Sequence, residues 1–226
     1  MTWTTYAIGD IHGRLDLLRE ALATISAHAA AGSHRIILLG DLVDRGPDSA
    51  AVVSLAMDQT DGKRFITLKG NHEELMLRSL RSGDMDAMAM WLDNGGETTA
   101  MSYGGLRAVP AAHLAWIAAL PIHWSDEHRV FVHAGLAPGV AVSAQAERSM
   151  LWIRETFLTA KARDLPCHVV HGHTPLWSGK PVMSRPERLP HRTNLDTGAY
   201  ATGVLSVGVF PDDIAGGPLD ILSIRA

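Results

Sequence analysis

The chain has a single cysteine, Cys167, so no internal disulfide framework is available to it, and a reducing compartment suits it. It also lacks a surplus of charge: 20 Lys and Arg stand against 24 Asp and Glu, a formal −4. An electrostatic nucleic-acid binder carries a basic excess or a Lys/Arg-dense stripe, so no nucleic-acid partner is expected. No apolar run approaches the roughly 18 residues of a membrane span, which argues against a membrane partner. The first ten residues, MTWTTYAIGD, show no basic segment leading into an apolar one, so cytoplasm is the expected location. Internal repeats and low-complexity tracts are absent too.

What is present points to an ordinary globular protein, 46% hydrophobic and 19% charged over 226 residues. At roughly 150 residues per domain the length lies between one and two, and nothing marks a boundary. One domain over residues 1–226 is therefore expected, large enough to bury a core without disulfides. The 12 histidines stand out, because histidine serves as acid, base or metal ligand.

Their positions matter more than their number. An apolar strand from Tyr6 to Ile8 ends in Gly9-Asp10-Ile11-His12-Gly13 and leads into a helix from Leu15 to about Ala30. A second, Arg35 to Leu39, ends in Gly40-Asp41-Leu42-Val43-Asp44-Arg45-Gly46-Pro47 before a helix from Asp48. A third, Arg64 to Leu68, ends in Gly70-Asn71-His72-Glu73-Glu74 and again enters a helix. Three such units imply parallel strands with crossover helices, whose functional groups collect at the C-terminal strand ends. Residues from about Ser82 to Leu120 read as helical. After Pro121 the pattern turns to strands: a hairpin of Ile122 to Ser125 and Arg129 to Val132, then His168 to Val170, Asn194 to Leu195, Gly203 to Val209 and Leu219 to Ser223. The expected fold is α/β, a two-sheet β-sandwich flanked by helices.

Gathered at the strand ends are Asp10, His12, Asp41, Asp44, Arg45, Asn71, His72, His133, His171 and His173. Asp10 and His12, two apart on extended chain, point the same way. Mixed carboxylate, imidazole and amide ligands suit Mn, Fe or Zn better than Ca or Mg. The set is too large for one tetrahedral ion and large enough for two sharing a carboxylate. Such a pair can generate hydroxide and stabilise both oxygens of an in-line phosphoryl displacement. Helix capping is the plain alternative for the Asp and Asn residues, but it leaves the recurrent histidines unexplained.

GDIHG, GDLVDRG, GNHE, HAG and GHTP, in that order, resemble the calcineurin-like metallophosphoesterases. Within them the chain resembles the phosphoprotein (Ser/Thr) phosphatases, especially the small bacterial and phage lambda-type enzymes. Trp91-Leu92-Asp93-Asn94-Gly95-Gly96 and Leu195-Asp196-Thr197-Gly198-Ala199 support that branch. The resemblance implies Asp10 and His12 as ligands of a first metal, Asp41 as the bridge, and Asn71, His133 and His173 as ligands of a second. It implies His72 as the acid that protonates the leaving oxygen, Asp44 as the carboxylate orienting it, and Arg45 and Arg154 as the phosphate clamp. His171 is left as a buried or outer histidine, and a rim position is considered for Trp177. The implied cofactors are two divalent ions, Mn first and Fe or Zn next. The implied partner is a phosphorylated protein or small phosphoester, attacked by a metal-bridging hydroxide.

Three other readings compete. Symmetrical bis(5'-nucleosyl)-tetraphosphatases share the metal motifs; Asp44, Glu73 and the absence of a long middle insertion favour the phosphatase. A phosphatase-like scaffold with a dead site would show degenerate ligands, and every motif here is intact. A metal-dependent nuclease or phosphodiesterase would call for a basic stripe.

Overall fold

In the computed structural model, which describes residues 3–30, 32–178 and 183–226, the three strand–loop–helix units lie where the sequence pattern puts them. They are β1 (Thr4–Ile8), α1 (Leu15–Ala29), β2 (His34–Leu38), α2 (Ser49–Gln59), β3 (Phe65–Thr67) and α3 (Asn71–Ser82). The second strand is expected to run to Leu39. Leu39 does still donate to the Ile8 carbonyl at 3.0 Å, and the ladder stops there as the chain turns into Gly40. Two helices, α4 (Met85–Trp91) and α5 (Glu97–Ser102), are joined by a kink at Leu92–Gly96, and α6 (Ala111–Ala119) follows. Then come β4 (His123–Ser125), β5 (Arg129–Val132), α7 (Glu147–Trp152), α8 (Glu155–Leu158) and β6 (His168–His171). The chain closes with β7 (Trp177–Ser178), β8 (Met183–Ser184), β9 (Glu187–Leu189), β10 (Arg192–Asn194), α9 (Ala199–Thr202), β11 (Leu205–Pro211) and β12 (Asp220–Ile224).

Two mixed five-stranded sheets result, ordered β12-β11-β1-β2-β3 and β4-β5-β6-β10-β9, beside a small β7-β8 ribbon. Within the first, β1, β2 and β3 are parallel, and β11 pairs antiparallel to β1. In the second, β5, β6 and β10 are parallel. Period-two alternation sorts the side chains. Ala7, Ile37, Ile66 and Phe210 face the other sheet and meet Phe131 and Val170 there. Tyr6, Ile8, Leu38 and Val207 face outward, onto Leu17, Leu18, Val52, Val53 and Trp91 from the covering helices. On the far side, Val130, Val132 and Val169 pack against Met150 and Phe157. Both sheets thus have two apolar faces, and the parallel strand ends of both open onto the same edge.

Candidate metal centre

The loops at that edge have an unusual backbone. Six non-glycine residues among those described have positive φ, and five are His12 (46°), Asp41 (49°), Asp44 (73°), Arg45 (68°) and His173 (69°). Left-handed backbone is costly for residues with a Cβ and persists only where surroundings impose it. One source of that constraint is Glu73, which the sequence reading used only to mark a branch. Its buried carboxylate accepts four backbone N–H groups: Asp41 at 2.9 Å, Leu42 at 2.8 Å, Val43 at 3.2 Å and Gly70 at 2.8 Å. It thereby splices the loop after β2 to the start of α3.

Asp41 sits at the middle. Its Oδ2 lies 3.6 Å from His12 Nε2 and 3.8 Å from His72 Nε2, and its Oδ1 lies 3.4 Å from His133 Nε2. Two buried groups with metal-ligand spacing share it: His12, Asp41 and His72, and Asp41, His133 and His173. Asn71 joins the second, its Oδ1 being 2.8 Å from His133 Nε2 and 2.7 Å from His173 Nδ1. Asp10 belongs to neither group. Its carboxylate accepts the His173 N–H at 3.2 and 3.0 Å, and a Cβ on Gly172 would collide with it, so only glycine fits there.

The protonation pattern tests whether cations fit. His12 Nδ1 donates to the Val43 carbonyl at 2.8 Å and His133 Nδ1 to that of Leu39 at 3.0 Å. Burial holds both imidazoles below the usual histidine pKa, and it pushes His173 down to about 2. Neutral rings with Nδ1 committed aim their Nε2 lone pairs inward, at the oxygens of Asp41 and Asn71. His173 instead turns its Nδ1 inward, 2.7 Å from Asn71 Oδ1 and 3.2 Å from His133 Nε2, while its buried Nε2, the ring's other nitrogen, has no partner. Lone pairs converging in a dry pocket repel one another, and divalent cations relieve that crowding. The donor set therefore fits metal.

His72 differs from its neighbours. Burial alone would lower its pKa, yet Asp41 and Asp44 outweigh that and hold it above the ordinary value. Its Nδ1 meets Asp44 Oδ2 at 2.7 Å. Asp44 is itself held by Trp91 Nε1, 3.0 Å from each oxygen, and by the Thr99 hydroxyl at 2.6 Å. Neither Trp91, though it opens a quoted segment, nor Thr99 was assigned a role from sequence; a donor on a helix follows no spacing rule that marks it.

The two arginines flank this cluster differently. Arg45 donates to His12 Nε2 at 2.7 Å, its guanidinium lies 4.9 Å over the Tyr200 ring, and its backbone N–H reaches the Gly95 carbonyl at 3.2 Å. The Asn94-Gly95 segment forms the kink between α4 and α5, and its Gly95 carbonyl steadies Arg45. Arg154 is exposed and reaches the Thr174 hydroxyl at 3.3 Å, beside His173. His171 stays outside, stacked edge-on against Phe157 with ring centroids 4.9 Å apart. Asp196, part of a quoted motif without a role, is buried beside Asp10. Burial, then Asp196 and Asp41, push the Asp10 pKa well above the carboxylate range, and Asp196 is raised to about 6, mainly by burial.

Residues 4–200 match the profile of the calcineurin-like phosphoesterases, and the chain belongs to that family. An asymmetrical bis(5'-nucleosyl)-tetraphosphatase, PrpE of Oceanobacillus iheyensis, is 25% identical over 91% of this chain and 88% of its own length. The symmetrical bis(5'-nucleosyl)-tetraphosphatase of Dechloromonas aromatica is 32% identical over 79% of this chain, which spans 57% of that relative. Serine/threonine-protein phosphatase 1 of Salmonella typhimurium is 26% identical over 89% of both. Among solved structures, a candidate diadenosine tetraphosphatase superposes with a TM-score of 0.69 at 23% identity, covering 99% of this chain and 94% of that one. The fold is the calcineurin-like one.

Proposed function

We propose that the protein is a phosphomonoesterase dependent on two divalent metal ions, with phosphorylated serine or threonine side chains as its substrate class. Asp10, His12 and Asp41 would hold one ion, and Asp41, Asn71, His133 and His173 the other, Mn²⁺ being the first choice and Fe or Zn also suited. When bound, the ions supply an activated water and positive charge beside the phosphoryl oxygens. Arg45 and Arg154 bind those oxygens through charge-assisted hydrogen bonds. His72 gives a proton from Nε2 to the leaving oxygen, while Asp44 holds the opposite ring nitrogen.

The buried His72–Asp44 pair is the observation that carries this reading. A serine or threonine alkoxide leaves poorly without a proton, so a positioned acid matters most for that bond. The second reading, dinucleoside tetraphosphate hydrolysis, is favoured by the relatives named for it. Its leaving group is already a stabilised phosphate anion and needs the acid less. The Mn²⁺-loaded protein is tested on a phosphothreonine peptide and on diadenosine tetraphosphate, each with a chelated control. Faster phosphate release from the peptide is expected. Rapid cleavage of the dinucleotide beside an inert peptide would replace the first reading with the second.

A further inference from the structure

Two aromatic rings stand beside the arginine side of the site, and the proposed chemistry uses neither. Tyr200 lies edge-on to His12 with ring centroids 5.4 Å apart, and Arg45 is stacked over it at 4.9 Å. Trp177 meets Tyr200 edge-on at 6.4 Å and remains 47% exposed. The wall therefore runs from a buried histidine of the metal centre, through Tyr200, out to solvent.

Trp177 is seated rather than loose. The β7–β8 ribbon pairs it with Ser184, whose hydroxyl is directed at the Asp196 carbonyl, 3.4 Å away. Asn194 donates to the Thr174 carbonyl at 2.7 Å, tying the segment before Trp177 to the strand before Asp196. The indole also lies so close to Gly198 (φ +60°) that a Cβ there would collide with its Cη2. Gly198 caps the start of α9 and Tyr200 is that helix's second residue, so the same stretch of backbone positions both rings.

We propose that Trp177, backed by Tyr200, is a specificity-determining subsite for a planar aromatic group carried by the phosphoester. The proposal rests on the metal-dependent phosphoesterase reading above, not on its serine or threonine substrate class, which it extends to ring-bearing phosphoesters. Keeping about half of an indole in water forfeits hydrophobic stabilisation that an incoming ring recovers. Arg45 sets the direction: stacked on Tyr200, it holds a phosphoryl oxygen at the inner end of the wall. A ring attached to that phosphoryl group then extends along Tyr200 toward Trp177. A phosphoserine side chain has no ring to place there. An aryl ester and a nucleotide do, and the shared element is the flat π-face.

The test uses Mn²⁺-loaded protein and ligands that it cannot turn over, with affinities measured by calorimetry. Phenylphosphonate is compared with methylphosphonate, and adenosine 5'-methylenediphosphonate with methylenediphosphonate. The ring-bearing member of at least one pair is expected to bind about three- to tenfold more tightly. Trp177→Ala should erase that ratio and Trp177→Phe should retain most of it. A preference in the first pair identifies an aryl ester, one in the second a nucleobase, and either supports the subsite. Equal affinities within both pairs, or a ratio that survives Trp177→Ala, would overturn it. Hydrolysis of phosphoserine and phosphotyrosine peptides is measured in parallel. A ring preference in a protein that cleaves neither would sink the monoesterase reading while the subsite stood.

Discussion

His72 and Asp44 make the sharpest demands of any residue pair in the molecule. With Asp44 holding Nδ1, His72 must carry its proton on Nε2 to act as an acid. The rate should fall as pH rises through the His72 pKa, which lies above the ordinary 6.5. His72→Asn should slow turnover by about 10²–10⁴-fold with metal content unchanged, and abolish that alkaline limb. Metal content is read by atomic absorption; unaltered turnover would remove His72 from the mechanism. Arg45 has a different signature, because its partner is the phosphoryl group rather than the leaving oxygen. Arg45→Ala should raise the inhibition constant of free phosphate at least about tenfold, the loss of one charge-assisted pair. An unchanged constant would contradict the clamp.

At the scale of elements, the repeated strand–loop–helix unit was legible because apolar strands, Gly-led polar loops and periodic helices recur in order. Strand limits shifted by one or two residues, by one at Leu39, where a ladder bond continues beyond the regular pairing, and by two at the ends of β11. The short β7, β8 and β9 were not legible: two or three residues show no alternation, and their position depends on contacts from distant loops. Glu73 and Asp196 show the same limit within the site, since a carboxylate that binds backbone or another carboxylate has no spacing rule. One loop makes its own prediction. The N–H groups of Phe65, Lys63 and Arg64 reach Asp61 Oδ1 at 2.9, 2.8 and 2.7 Å and hold its pKa at about 2. A carboxylate depressed in the folded state stabilises above its unfolded value, about 3.9, and loses that contribution as pH falls toward 2. Asp61→Ala should therefore lower Tm at pH 7, and the gap from wild type should narrow as pH drops below about 4. A gap that stays constant on acidification would exclude the ionised form as its source.

The whole molecule is held by two sheets that meet through Phe131 and Phe210, ring centroids 5.5 Å apart, and by an edge where buried lone pairs converge. Cations that bind only the folded chain stabilise it by mass action, about 2.7 kcal/mol at one hundred times their dissociation constant. For a chain of this length that is a rise of roughly 5–10 °C in Tm. Adding Mn²⁺ to chelated protein should produce it in a calorimetric scan, and an unmoved Tm would remove the metal assignment. No helix among the described residues is long and apolar enough to cross a membrane.

The division of the site between the two sheets has a consequence for assembly. Asp10, His12, Asp41, Asn71 and His72 precede Leu120, whereas His133 and His173 follow it, and β11 must still return to lie beside β1. A chain severed between Leu120 and Pro121 would leave each fragment with an incomplete set of donors. Activity could return only when the fragments interlock, so the centre doubles as a checkpoint on its own construction: it can be finished only after the strand ends of both sheets have come together.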